Sequence, residues 1–158
     1  MLTSNANEFL AGIKASPDFV RRKFANKVRD VVYTLHHSIT ERTPVYTGQT
    51  LANYQWSMGT PFSGVLDAVG VGPVEHTNQL PLGVESRRPE NQAVADESLF
   101  RLRFENPYQN YVLVNNCPTF GPLEAGEWPN PPLRQRSPNG MVFVSFAYVS
   151  ELLQSGVL

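Results

Sequence analysis

Thr43-Pro44-Val45-Tyr46-Thr47-Gly48, followed by Leu51-Ala52-Asn53-Tyr54-Gln55-Trp56-Ser57-Met58-Gly59, is where this chain changes its period. Upstream, Val20, Phe24, Val28, Val31, Val32, Leu35 and Ile39 recur mostly at spacings of three and four. That spacing predicts one apolar face of a long helix. Ser16-Pro17-Asp18 reads as its start, with an N-cap serine, a proline at the first helical position and an acid at the positive dipole end. Thr43-Pro44 ends the helix near residue 42, because proline steers the residue before it out of the helical region. Gly48 then frees the turn that follows. Residues 50–59 predict a strand whose alternate residues Ala52, Tyr54, Trp56 and Met58 rest on the helix.

Working outward, residues 5–14 predict a short helix carrying Phe9, Leu10 and Ile13. Residues 65–71 are a second strand candidate between Gly64 and Gly72. Residues 73–91 are polar, contain Pro73, Pro81 and Pro89, and read as an extended loop or arm. In residues 90–104, Phe100, Leu102 and Phe104 alternate like a strand, while Gln92 to Leu102 is rich in helix formers. Residues 111–115 read as a strand, and 117–140 as a second long, proline-rich loop. In residues 141–153, Val142, Val144, Phe146 and Tyr148 fit a strand, whereas Phe146, Val149 and Leu153 fit a helix. Together these readings give one α+β domain over residues 1–158. A long N-terminal helix and shorter helices pack on a small antiparallel sheet, with long extended loops at 73–91 and 117–140.

Charged residues make up 17% of the chain, below the usual quarter or so, as a surface covered by neighbours tolerates. The net charge of −1 gives no overall attraction to nucleic acid. Its distribution is uneven: Lys14, Arg21, Arg22, Lys23, Lys27 and Arg29 fall within sixteen residues, and acids from Asp67 to Glu127 fill the middle. The basic helix and the acidic middle either meet across subunits or stand as solvated faces. The single cysteine, Cys117, permits no intrachain disulfide and no thiolate metal cluster. The N-terminus lacks the basic start and apolar run of a signal peptide, and no apolar stretch is long enough to span a bilayer.

The chemistry-bearing residues are sparse. His36-His37 with Glu41 is the best metal candidate, but zinc sites need three or four protein ligands and His76 is the only other histidine. The bland reading is a helix surface near a subunit contact. There is no Gly-x-Ser-x-Gly elbow, and Cys117 reads as a packed thiol. Asp96 and Glu97 are adjacent and do not face each other on a helix. No glycine-rich phosphate loop is present. These readings predict no catalytic residue, no metal and no cofactor. The remaining chemistry is sequence-independent duplex binding by the basic helix at residues 14–29, without a recognisable binding motif.

Three blocks, in order, carry a resemblance. The first is Thr43-Pro44-Val45 and Thr47-Gly48 with Ala52-Asn53. The second is Asn115-Asn116-Cys117-Pro118 leading to Leu123-Glu124 and Gly126. The third is Pro138-Asn139-Gly140-Met141-Val142. Their order and spacing resemble the neck and tail-completion (head–tail joining) proteins of tailed bacteriophages. The chain departs from that pattern at Tyr46, where an acid is usual, at Gln49, where a basic residue is common, and at Thr119, where an aromatic is usual.

The resemblance implies a structural, non-enzymatic virion protein, made in the host cytoplasm and placed at the head–tail junction. It implies a homo-oligomeric ring, sixfold or twelvefold, between a portal-side connector and a tail terminator or tail tube protein. DNA would pass through the channel without specific binding. A tail terminator ring is the neighbouring alternative. The implied motif residues are Pro44, Gly48, Asn53, Asn116, Pro118, Gly126 and Gly140. Candidate inter-subunit contacts are Arg21, Arg22, Lys27, Tyr46, Glu124 and Trp128, with Glu124 either pairing with a base on a neighbour or facing solvent. The family pattern also favours helices at 90–104 and at the C-terminus.

Overall fold

A computed structural model describes residues 3–45, 47–70, 87–106, 108–127 and 139–158, with the backbone alone for 3–16. The elements are α1 (Thr3–Arg42), α2 (Gln49–Ala52), β1 (Tyr54–Met58), α3 (Arg88–Phe100), β2 (Tyr111–Asn115), α4 (Phe120–Glu124) and α5 (Val142–Gln154). β1 and β2 form a two-stranded antiparallel sheet in which Trp56 faces Leu113 and Tyr54 faces Asn115. The fold is α+β, as the periodicities indicate.

α1 is one helix of 40 residues with Pro17 inside it. The expected break at Ser16-Pro17-Asp18, with a separate helix at 5–14, is therefore corrected. Proline's fixed φ is itself helical, and its missing N–H removes one ladder bond while the turns on either side hold. The apolar face is also used over only part of its length. Val32, Leu35 and Ile39 are buried and Val28 and Val31 partly so, but Val20 and Phe24 are more than half exposed. Phe24 was expected to pack on the sheet and does not. A 40-residue helix extends about 60 Å, whereas a five-residue strand reaches only about 17 Å.

The strand expected over 50–59 begins only at Tyr54. Gly48 takes a left-handed φ of 92° and opens the single turn α2, whose Leu51 and Ala52 are fully buried. A Cβ at Gly48 would lie 2.2 Å from Asn91 Nδ2, so both the backbone angle and the close approach require glycine. Tyr54 and Trp56 are buried as expected, but Met58 is exposed. Gln55, on the other face, is buried and donates to the Ala52 carbonyl.

Residues 65–70 are not a ladder strand. The side chain of Asn53 meets both the N–H and the C=O of Leu66, at 2.8 Å each, and so stands where a partner strand would. Of the expected loop at 73–91, residues 73–86 lie outside the described residues. The rest belongs to the start of α3, where Pro89 fits the first turn. Residues 90–100 are helical and 101–104 are not, which resolves the ambiguity of that region. The expected loop at 117–140 contains the short helix α4, and its residues 128–138 lie outside the described residues. The last element is a helix, α5.

The core joins Val32, Leu35 and Ile39 of α1 to Val45, Leu51, Tyr54, Trp56, Ala95, Leu99, Leu102 and Val149. At roughly 1.5–3 kcal/mol for each large apolar side chain buried, this cluster is the main source of stability.

Candidate assembly surfaces

The sequence Val142-Phe143-Val144-Ser145-Phe146-Ala147-Tyr148-Val149-Ser150-Glu151-Leu152-Leu153-Gln154 has one charged residue in thirteen. Apart from Ser150, Glu151 and Gln154 on one side, its surface is of the kind that belongs in an interior. Yet only Ser145 and Val149 of α5 are buried, while Phe143 is 75% exposed, Phe146 54% and Tyr148 43%. Polar bonds seat the helix. The Glu124 carboxylate accepts from the backbone N–H groups of Met141, Val142 and Phe143 at 2.8–3.1 Å. This negative charge sits at the positive end of the helix dipole and satisfies three orphan donors. Gly140, at φ 84°, makes room, because a Cβ there would lie 2.7 Å from both the backbone O and Oε1 of Glu124. Ser38 Oγ of α1 donates to Ser145 Oγ at 2.9 Å. Glu124, read as either meeting a base on a neighbour or facing solvent, thus has its carboxylate engaged within the chain.

The other motif residues hold loops to the sheet. Pro44 is buried just past α1. Asn53 clasps Leu66, and Asn116 donates to the carbonyls of Phe62 and Gly64 at 2.9 and 3.0 Å. Pro118 is exposed in the turn before α4, and Gly126 follows that helix. Arg21, Arg22 and Lys27 are exposed on the first half of α1, beside the exposed Phe19, Val20 and Phe24. Tyr46 and Trp128 lie outside the described residues.

Sequence reasoning missed Asn91, Ser98 and Arg88. Fully buried Asn91 holds both Val69 backbone groups, and Ser98 accepts from the Trp56 N–H. Arg88 donates to the carbonyls of Thr40 and Thr43, at the C-terminal end of α1 where such groups lack helical partners. Arginine near a helix end is a weak signal, and nothing in the sequence points to the other two.

A polar cleft of about 400 Å³ between α1 and α3 is lined by His36, His37, Thr40, Glu41, Arg88, Gln92 and Asp96. The two histidines diverge. His37 is exposed and lies 3.7 Å from Glu41. His36 turns inward, where Trp56 Nε1–H donates to its Nδ1 at 3.0 Å. Its proton is therefore on Nε2, which donates to Asp96 Oδ1 at 2.8 Å. Gln92 donates to the same carboxylate oxygen at 2.7 Å. Burial lowers the His36 pKa, the Asp96 hydrogen bond and charge oppose this, and His37 adds to the lowering. Both ring nitrogens are occupied, so His36 offers no free base to the cleft. Cys117 is buried elsewhere, against the hydroxyls of Thr119 at 3.1 Å and Thr50 at 3.6 Å. Among the described residues, no three His, Cys, Asp or Glu side chains converge as a metal ion would need, and no helix is long and apolar enough to cross a membrane.

A second cavity, of about 380 Å³, is apolar and opens between α1, the sheet, α4 and α5. Its walls include Val32, Leu113, Phe120, Val142 and Phe146. No family model, curated protein or solved structure matches the chain.

Proposed function

We propose that this chain is a structural protein of a phage virion neck. In this reading it forms a homo-oligomeric ring, sixfold or twelvefold, between a portal-side connector and a tail terminator or tail tube protein, and DNA passes through the ring unbound. The observation that carries the reading is α5: a nearly uncharged helix, seated by polar bonds, that leaves Phe143, Phe146 and Tyr148 exposed. Phe143 and Phe146 are one turn apart and so neighbours on the helix surface, and adjoining exposed apolar side chains mark an interaction site. The ordered motif blocks support the same reading, since Gly48, Asn53, Asn116, Glu124 and Gly140 all have conformational or hydrogen-bonding duties and none activates a substrate.

A specific observation favours one second reading. Arg21, Arg22, Lys23 and Lys27 are all exposed on α1, as phosphate binding would require. A phage carrying a nonsense codon in this gene separates the two. The neck reading expects filled heads without tails, and the protein as a ring in wild-type particles by composition and electron microscopy. Absence from purified virions, with salt-dependent duplex binding, would favour the second.

A further inference from the structure

We infer that the sheet continues from one copy of this chain into the next. The open edge of β2 pairs with the segment at residues 61–68 of a neighbouring copy, and Val65 of that copy enters the apolar groove beside β2. This rests on the ring reading above and specifies its contact.

The edge of β2 follows from the hydrogen-bond alternation. The Trp56 N–H points away from β2 and donates to Ser98 Oγ at 3.0 Å, whereas the Gly59 N–H donates to Asn110 O at 3.0 Å. Bonded and non-bonded pairs alternate along an antiparallel ladder. Gln55 and Ser57 therefore face their partners Val114 and Val112, and the backbone groups of Tyr111 and Leu113 point outward. Those outward groups have no backbone or side-chain partner among the described residues. The far edge of β1 differs, because Ser98 of α3 closes it at both Trp56 N–H and Tyr54 C=O. Open edges are ordinarily guarded by lysine, proline or a bulge. Tyr111-Val112-Leu113-Val114-Asn115 has no such guard.

The second edge lies in the same chain. Burial alternates residue by residue from 61 to 68, as along a strand, although the backbone tightens at 62–64, where one Asn116 Nδ2 reaches two carbonyls. Its even-numbered backbone groups are engaged: Leu66 by Asn53, and the carbonyls of Phe62 and Gly64 by Asn116. The backbone groups of Ser63, Val65 and Asp67 have no partner among the described residues. Asn116 directly follows β2 and holds the carbonyls of Phe62 and Gly64, so this segment is tied to the end of its own β2 by side-chain bonds and not by a ladder. Val65 is 49% exposed.

A chain whose described residues leave two different edges unpaired can join its copies head to tail. That is the heterologous contact from which closed rings are made. Backbone pairing supplies the affinity and a side-chain pocket the register. The cavity of about 380 Å³ beside Leu113, Phe120, Val142 and Phe146 is that pocket.

Two variants of the full chain in purified particles test this. Val65→Pro deletes one outward N–H and touches none of the intrachain bonds of the segment. It should keep the parent's thermal midpoint and be incorporated at least about tenfold less. Normal incorporation overturns the inference. In a Cys117→Ser background, Val65→Cys paired with Tyr111→Cys or Leu113→Cys should oxidise to a ladder of multimers on a non-reducing gel, because opposed strand residues lie within disulfide reach. Single cysteines should not. If particles contain the ring but neither pair cross-links, the copies touch elsewhere and this inference fails while the ring reading stands. If the parent chain is absent from particles or is monomeric in them, the ring reading itself has failed.

Discussion

The second half of α1 and the whole of α5 are both rich in apolar residues, and the molecule uses them in opposite ways. α1 buries Val32, Leu35 and Ile39 against the sheet. α5 buries only Ser145 and Val149 and turns Phe143, Phe146 and Tyr148 outward. The first helix is held by area removed from water. The second is seated by directed polar bonds from Glu124 and Ser38, with Val149 joining the core. Substitutions in the first should therefore act on folding, and outward-facing substitutions in the second on association.

The largest expected effect is at Ile39, which is completely buried. Ile39→Asp would place an unpaired carboxylate among Leu35, Val45 and Tyr54, at a cost of several kcal/mol. Far-UV circular dichroism should show an unfolded chain. A soluble, folded I39D protein would remove α1 from its place as the folding core.

Next is the seat of α5. Glu124→Ala leaves three backbone donors at the helix start without their carboxylate and should cost about 2 kcal/mol. Chemical denaturation measures the total. Hydrogen exchange should quicken first at the amides of residues 141–143. Unchanged protection there would mean that apolar contacts, and not the cap, hold the helix.

The contrast between the helices is half legible in the sequence. The apolar spacing of α1 is visible, as are the buried Tyr54 and Trp56 and the strand at 111–115, because each follows a local period. Which residues of that spacing meet the sheet is not visible. Val20 and Phe24 continue the pattern of Val28 and Ile39, but the strands are too short to reach them. Leu51-Ala52 looks like strand until Gly48 is seen against Asn91, forty-three positions away. The array Trp56–His36–Asp96 joins three elements and leaves no local trace. The duty of Glu124 at α5 likewise depends on a partner seventeen to nineteen positions on.

That array gives a smaller effect, on the folding side of the contrast. His36 has its pKa lowered from an ordinary 6.5, chiefly by burial, with Asp96 opposing and His37 assisting. Arg88 and Glu41 complete the charged lining of the cleft. Between the lowered value and 6.5 the unfolded chain binds more protons than the folded one. The contribution is complete above pH 6.5 and is lost as pH falls through that window, with a slope of at most about 1.4 kcal/mol per pH unit. A protonated ring would also turn an N–H against the Trp56 indole N–H. Denaturation midpoints from pH 7.5 to 5 should fall for the parent and stay flatter for His36→Gln. Parallel curves would assign the acid sensitivity elsewhere.

The smallest effect on stability should come from Phe143, and it sharpens the comparison most. Its side chain is 75% exposed, so Phe143→Ser forfeits little burial and should change the free protein's stability by no more than about 0.5 kcal/mol. Its backbone N–H still reaches Glu124, so the cap survives. In an assembled ring the same position would lie under a neighbour, where a large aromatic anchor is often worth about 2 kcal/mol or more. Phe143→Ser, alone and with Tyr148→Ser, should therefore leave the denaturation curve in place and reduce incorporation into particles. Sedimentation of the free protein and quantified particle composition measure the two halves separately. Normal incorporation of the double variant would show that α5 faces solvent in the particle. The exposed aromatics would then say nothing about association, and the ring reading would rest on its motif blocks alone.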